Sequence, residues 1–427
     1  MTCRFEQIAA DPVPAHDRRP SPAAVDGSAS VRTTCLCRLA QPPGAPCALV
    51  LTTAYDELIG STLALLSSRT GRIHRIDHPW LARMRAALAA AEQSRSTLLA
   101  VQGTTVSRWL CAVRELLACP VHRVELRYLP RQWDPDPRNL LRPFLCQLAR
   151  SGASTIVLLP RNPQMFEPPA DYVAAVLARR LCVVYTRPGG NVDRLLRLPA
   201  VAKRASYPHC PPHPLGSSDP PAEPQPPHQA GPKSEPVASL PWHDFLFHWT
   251  RAQSHGWPGE PPNAPLAKLL LATESYDAFS ALKRIAYRGV IYASGTVEPF
   301  VSLTATAPTE WRDRRVYRHH RGRFDYELYG IAIHKAEVLA QGGVPVCYCD
   351  PPVYAQLPRD LRTRFQPLWC PRNPRLRWNA EHEWRVFGDL VLSVAPARSV
   401  FFLAPSPEEA REITRISGRP CAFFGQS

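Results

Sequence analysis

The sequence is poor in lysine, in long apolar runs and in the cysteine spacings that hold metals. Each shortage removes a class of protein. Lysine stands only at Lys203, Lys233, Lys268, Lys283 and Lys335, so the 51 Lys+Arg residues are nearly all arginine. The formal net charge of +15 suits a polyanionic partner such as nucleic acid, and arginine codon bias gives the same figure. No uncharged apolar run reaches the ~18 residues of a membrane-spanning helix, so no membrane partner is expected. The 13 cysteines include two C-x-C pairs, Cys35/Cys37 and Cys347/Cys349, with no C-x-x-C partner and no H-x-x-x-H near either. A structural metal is therefore not expected. The opening residues lack the apolar core of a secretory signal, so reduced thiols and a cytoplasmic location are expected.

Proline, by contrast, is abundant at 48 residues, and it is concentrated. Twelve prolines fall between Pro208 and Pro241 with almost no aliphatic residues among them. Such a stretch cannot bury a core and reads as a semi-rigid spacer. Residues 1–45 are rich in Pro, Ala, Ser and Asp without apolar period, and read as a disordered arm. The length of 427 residues favours two domains, placed at 46–207 and 242–427.

The first domain alternates short apolar strands with helices. The strands are Ala48–Thr53, Thr97–Val101, Val121–Leu126, Ser154–Leu159 and Leu181–Tyr185, and the helices Leu81–Gln93, Ser107–Leu117, Asp171–Arg180 and Val192–Leu198. This order predicts an α/β fold, a Rossmann-like parallel sheet with helices on its faces. Two glycine turns follow strands and open helices: Gly103-Thr104 and Arg187-Pro188-Gly189-Gly190. At the carboxyl edge of a parallel sheet such turns are a candidate phosphate site. A purely structural turn is the more common explanation, because no complete G-x-G-x-x-G is present.

The second domain carries polar residues on predicted strands. Alternation along Leu246–Arg251 sets His248 and Thr250 opposite Phe247 and Trp249. Along Phe300–Thr304 it sets Ser302 and Thr304 opposite Val301 and Leu303. Along Glu381–Val386 it groups Glu381, Glu383 and Arg385 opposite His382, Trp384 and Val386. Tyr276–Tyr287 has helical periodicity, with Gly289 as its C-cap. Tyr329–Ile333, Val344–Cys349 and Val400–Ala404 read as strands, and Pro407–Ile416 as the last helix. The domain is thus α+β.

The ordered series His248, then Ser302-x-Thr304, then Glu381-x-Glu383 resembles that of uncharacterised bacterial ADP-ribosyltransferase-like proteins, over roughly residues 242–427. The resemblance implies an ADP-ribosyltransferase-like fold. It also implies an NAD-dependent ADP-ribosyltransferase or NAD-cleaving enzyme, with NAD as substrate and an acceptor that is protein or nucleic acid, linked to conflict or defence. The first domain would then serve as a sensor or nucleotide-binding regulator. On that resemblance Glu383 and Glu381 would be catalytic, while His248, Thr250, Arg251, Ser302, Thr304 and Tyr329 would hold NAD. A carboxylate beside the ribose stabilises the cation that develops as nicotinamide leaves, and the second glutamate orients or deprotonates the acceptor. Other readings stay open. His248 suits a satisfied strand histidine, Glu381-x-Glu383-x-Arg385 a solvated face with an ion pair, and the whole domain a non-enzymatic module that binds a nucleotide, nucleic acid or protein. The arginine- and histidine-rich run Trp311–Arg323 reads as a basic loop.

Overall fold

The structure, a computed structural model, describes residues 7–8, 32–36, 48–52, 60–128, 154–159, 169–208, 237, 241–253, 256–295, 298–313, 317–318, 323–324, 327–370 and 373–424. The chain divides into two compact units. One comprises Met1–Thr70, Ile76–Leu215 and Leu266–Thr273, the other Gly71–Arg75, Gly216–Pro265 and Glu274–Ser427. Most of the expected spacer lies outside the described residues, although Val237 is buried against Trp242, whose Nε1–H donates to its carbonyl at 2.6 Å.

The strands of the first unit are β1 (Gln7–Ile8), β2 (Arg32–Leu36), β3 (Ala48–Thr52), β4 (Thr62–Ser67), β5 (Thr97–Val101), β6 (Val121–Tyr128), β7 (Thr155–Leu159), β8 (Arg180–Tyr185) and β9 (Ala205–Ser206). They form one sheet in the order β1-β2-β3-β7-β6-β5-β4-β8-β9. The six strands from β7 to β9 are parallel, a Rossmann-like arrangement, while β3, β2 and β1 extend it antiparallel.

Within the segment expected as a disordered arm, Gln7–Ile8 and Arg32–Leu36 form β1 and β2, and β2 pairs along β3; the rest of it lies outside the described residues. An interior strand, β4, is absent from the expected elements. Its run TLALLS is buried on both faces, so it shows no alternation by which a strand announces itself. One face carries Ala64, Leu66, Val101 and Val183 under Ala170, Val173 and Val192. On the other side Trp80 lies 5.2 Å, centroid to centroid, from Trp109, and its Nε1–H donates to Ser67 Oγ at 2.8 Å.

The second unit is built on a mixed seven-stranded sheet in the order 344–345, 383–387, 300–304, 245–249, 330–334, 400–404, 421–423, of which only the last pair is parallel. Helices Ala278–Arg288 and Pro407–Ser417 cover one face through Leu282, Ala286, Ala410 and Ile413, packed on Leu246, Val301, Ile331, Val386 and Phe402. The first helix begins at Asp277, whose carboxylate caps Ser280 N–H at 2.7 Å, and ends at Gly289 with φ 65°. Trp242, Phe247, Trp249, Ala332 and Leu403 form a separate cluster on the other face. The segment expected as one strand over 344–349 is two. Val344–Pro345 is the edge of the main sheet, and Cys347–Cys349 pairs in parallel with Phe365–Pro367.

Candidate functional site

On the Phe300–Thr304 and Glu383–Phe387 strands, antiparallel pairing sets Ser302 opposite Arg385 and Thr304 opposite Glu383. Since Val301, Leu303, Trp384 and Val386 pack toward the helix-covered face, Ser302, Thr304, Glu383 and Arg385 share the opposite one. There Glu383 is 9% exposed and Arg385 5%. Arg385 Nε donates to Glu383 Oε1 at 2.9 Å and Nη2 to Oε2 at 3.1 Å, a bidentate pair. Ser302 Oγ–H donates to the same Oε1 at 2.8 Å.

The other guanidinium hydrogens are also committed. Nη2 donates to Gln366 Oε1 at 3.1 Å, and Nη1 to the carbonyls of Thr363 and, at 3.4 Å, Phe365. The Arg385 guanidinium also sits 4.4 Å above the centre of the Phe300 ring. All five of its N–H donors are therefore used. The pair is neutral as a whole and fastens segment 363–366 to the sheet.

Glu381 does not share this face. It belongs to the helical turn Trp378–Glu381, and His382, with φ 45°, breaks the strand between the two glutamates. The Glu381 carbonyl accepts from the hydroxyls of Thr304 and Thr306, so Thr304 holds backbone. The Glu383 N–H donates to Tyr348 Oη at 2.9 Å.

His248 lies on the other side of the sheet. It alternates with Phe247 and Trp249 and so shares the face of Leu246, beneath the helices. Its Nδ1 is 2.9 Å from the Ser302 carbonyl, which fixes the proton on that nitrogen. Burial pushes its pKa down to about 4, against the opposing pull of that hydrogen bond. Thr250 donates to the carbonyls of Ala278 at 2.9 Å and Tyr329 at 3.1 Å. Tyr329 stacks on Phe279 at 5.3 Å and donates to Glu409 Oε1 at 2.7 Å, and burial with that carboxylate holds its hydroxyl far above the ordinary range. Arg251 is exposed. The expected NAD constellation is thus divided. Ser302 and Glu383 meet, but His248, Thr250 and Tyr329 face away from them, because side chains pack on both faces of the Phe245–Trp249 strand and polarity there does not mark a cleft.

In the first unit several polar groups of the two glycine turns are also engaged internally. Thr104 Oγ1 and N–H both turn back to the Val101 carbonyl, at 2.8 and 3.1 Å. Gly189 N–H donates to Asp193 Oδ2 at 3.0 Å and Gly190 N–H to the Arg187 carbonyl at 2.9 Å. The amides of Thr104, Gly189 and Gly190 thus close their turns. Gly103, with φ 94°, brings the β5 turn against Ala170, whose Cβ lies 3.3 Å from where a side chain would begin. Beside these turns stand polar residues that the sequence reading missed: Ser68, Arg69, Asp171 and Thr186. Ser68 and Arg69 follow β4, which is absent from the expected elements, and Asp171 lies in an expected helix and Thr186 just after an expected strand, where the sequence does not mark them as a site. The basic run at 311–323 lies largely outside the described residues.

Among the described residues no cluster of three or more His, Cys, Asp or Glu side chains is placed to hold a metal. None of their helices is long and apolar enough to cross a membrane. Compared with protein-family models, with curated proteins and with solved structures, the chain matches none.

Proposed function

We propose that this chain is a binding protein for a phosphate-bearing ligand rather than an NAD-cleaving enzyme. The observation that carries the reading is the pairing of Glu383 with Arg385. Stabilising an oxocarbenium ion requires a carboxylate whose charge is available where the cation forms. Here a guanidinium neutralises that charge, Ser302 takes a further lone pair, and both partners are buried. The glutamate acts as a structural fastener, and an ADP-ribosyltransferase-like sheet would serve as scaffold. The net charge of +15 supports a phosphate-bearing ligand through counterion release and long-range attraction.

The NAD-cleaving reading keeps one observation in its favour, the 2.8 Å contact of Ser302 with Glu383, a hydroxyl beside a carboxylate. One experiment separates the two. The purified full chain is incubated with NAD, alone and with cell lysate, and nicotinamide release is followed for wild type and Glu383→Gln. No release above background is expected from either. Release by wild type that disappears in Glu383→Gln would replace the binding reading with the enzymatic one.

A further inference from the structure

In the parallel sheet, β4 leads through the helix Pro79–Gln93 to β5 on one side, and β8 leads through residues 186–204 to β9 on the other. β4 and β8 are neighbours, joined at their carboxyl ends where Ser68 N–H donates to the Tyr185 carbonyl at 2.8 Å and Arg187 N–H to Ser68 Oγ at 2.9 Å. Connections that leave adjacent strand ends in opposite directions open a crevice, and open α/β sheets take their ligands there.

Two polar atoms in this loop cluster are buried without a hydrogen bond: Asp171 Oδ1 and Thr186 Oγ1. Asp171 stands in the first turn of the helix Pro169–Leu177 and is only 7% exposed. That helix is fixed by Ala170, Val173 and Ala174, which pack with Leu66 and Val101, so the backbone that carries Asp171 is held by the core. Its desolvation raises its pKa to about 6, and the charge of Arg69, the residue two beyond β4, offsets this only in part. Thr186 is the first residue after β8. A native fold rarely leaves such atoms unanswered, and a ligand at this edge that supplies the missing partners explains both.

The ligand's chemistry follows from what surrounds it. Asp171 Oδ1 accepts a hydrogen bond and the Thr186 hydroxyl both donates and accepts, so a ligand hydroxyl group answers both. Arg69 and Arg187 are exposed cations beside them, so the ligand also carries negative charge. A bare anion is excluded, because it would meet the Asp171 carboxylate. We infer that the carboxyl edge of this sheet binds a phosphorylated ribose, the unit common to nucleotides, whose hydroxyls hydrogen-bond with Asp171 and Thr186 and whose phosphate answers Arg69 and Arg187. The inference rests on the binding reading above and gives its ligand a class and a place.

The test is thermal unfolding of the full chain with ADP, ribose 5-phosphate or inorganic phosphate. ADP and ribose 5-phosphate are expected to raise the melting temperature, and phosphate alone is not. Asp171→Asn removes a buried charge, so without ligand it is expected to melt about 2–4 °C higher than wild type, while its affinity for ADP falls about tenfold or more. A carboxylate engaged in structure would give the opposite sign without ligand. Thr186→Val keeps the shape of the side chain and loses the ADP response, which provides the second arm if Asp171→Asn does not fold. No protection by ADP, equal protection by inorganic phosphate, or an undiminished response in both variants would overturn the site. The nicotinamide assay, run on the same protein, reports separately on the reading beneath it.

Discussion

Arg385 and Glu383 stand two residues apart on one strand, and both carboxylate oxygens accept from the one guanidinium, at 2.9 and 3.1 Å. Because the pair is buried, its two halves depend on each other. Truncating one leaves an uncompensated charge in a site with little water, at a cost of about 3–5 kcal/mol. Arg385→Met is therefore expected to lower stability by that order, as measured by urea denaturation. Joining it with Glu383→Leu should recover most of the loss, since an apolar pair of similar volume needs no compensation. A double variant as unstable as the worse single one would show that the pair contributes more than mutual neutralisation.

Glu383→Gln tests the same fastener more gently. It keeps the shape, removes the charge and leaves the Arg385 cation without its counter-ion, so the melting temperature should fall. An unchanged melting temperature would mean that Arg385 is satisfied by Gln366 and the carbonyls alone.

His248 makes stability depend on pH. Its folded pKa of about 4 lies below the ordinary value near 6.5, so between the two the unfolded chain binds the extra proton. Stability contributed by the neutral imidazole is full above about pH 6.5 and is lost as pH falls toward 4, up to about 3 kcal/mol. Denaturation of wild type and His248→Gln at several pH values should show the difference in slope confined to that window. Parallel slopes would mean that the ring is solvated.

Gly330 lies where two strands press closest. A side chain begun there would meet the Trp249 ring at 2.7 Å and the His248 carbonyl at 3.0 Å. Gly330→Ala is expected to destabilise by about 1–3 kcal/mol through overpacking, read by chemical denaturation. A smaller loss would show that Trp249 can shift.

Much of the architecture is legible from residue order alone. Alternating apolar runs and helical segments indicate the parallel sheet, and Gly289 marks a helix end that is present at that position. What escapes is decided by partners far along the chain. β4 reads as featureless because helices cover both its faces. His248 alternates correctly with its neighbours, yet the side it occupies depends on where residues 278–288 and 407–417 fold back. Ser302 and Glu383 are brought together as the order of polar strands implies, whereas Arg385, which sequence shows as a neighbour, takes the carboxylate for itself. Asp171 gives no local sign of being special, since its isolation comes from packing of the helix it begins.

One of the two outermost strands of the second sheet, Val344–Pro345, is two residues long and ends in an imino acid. An open ribbon of unpaired amides invites another polypeptide to zip onto it, which is how ordered proteins turn into fibres. Pro345 offers no amide hydrogen to such an intruder, and the strand stops before a second rung can form. This margin of the sheet is therefore sealed against self-association by its own brevity.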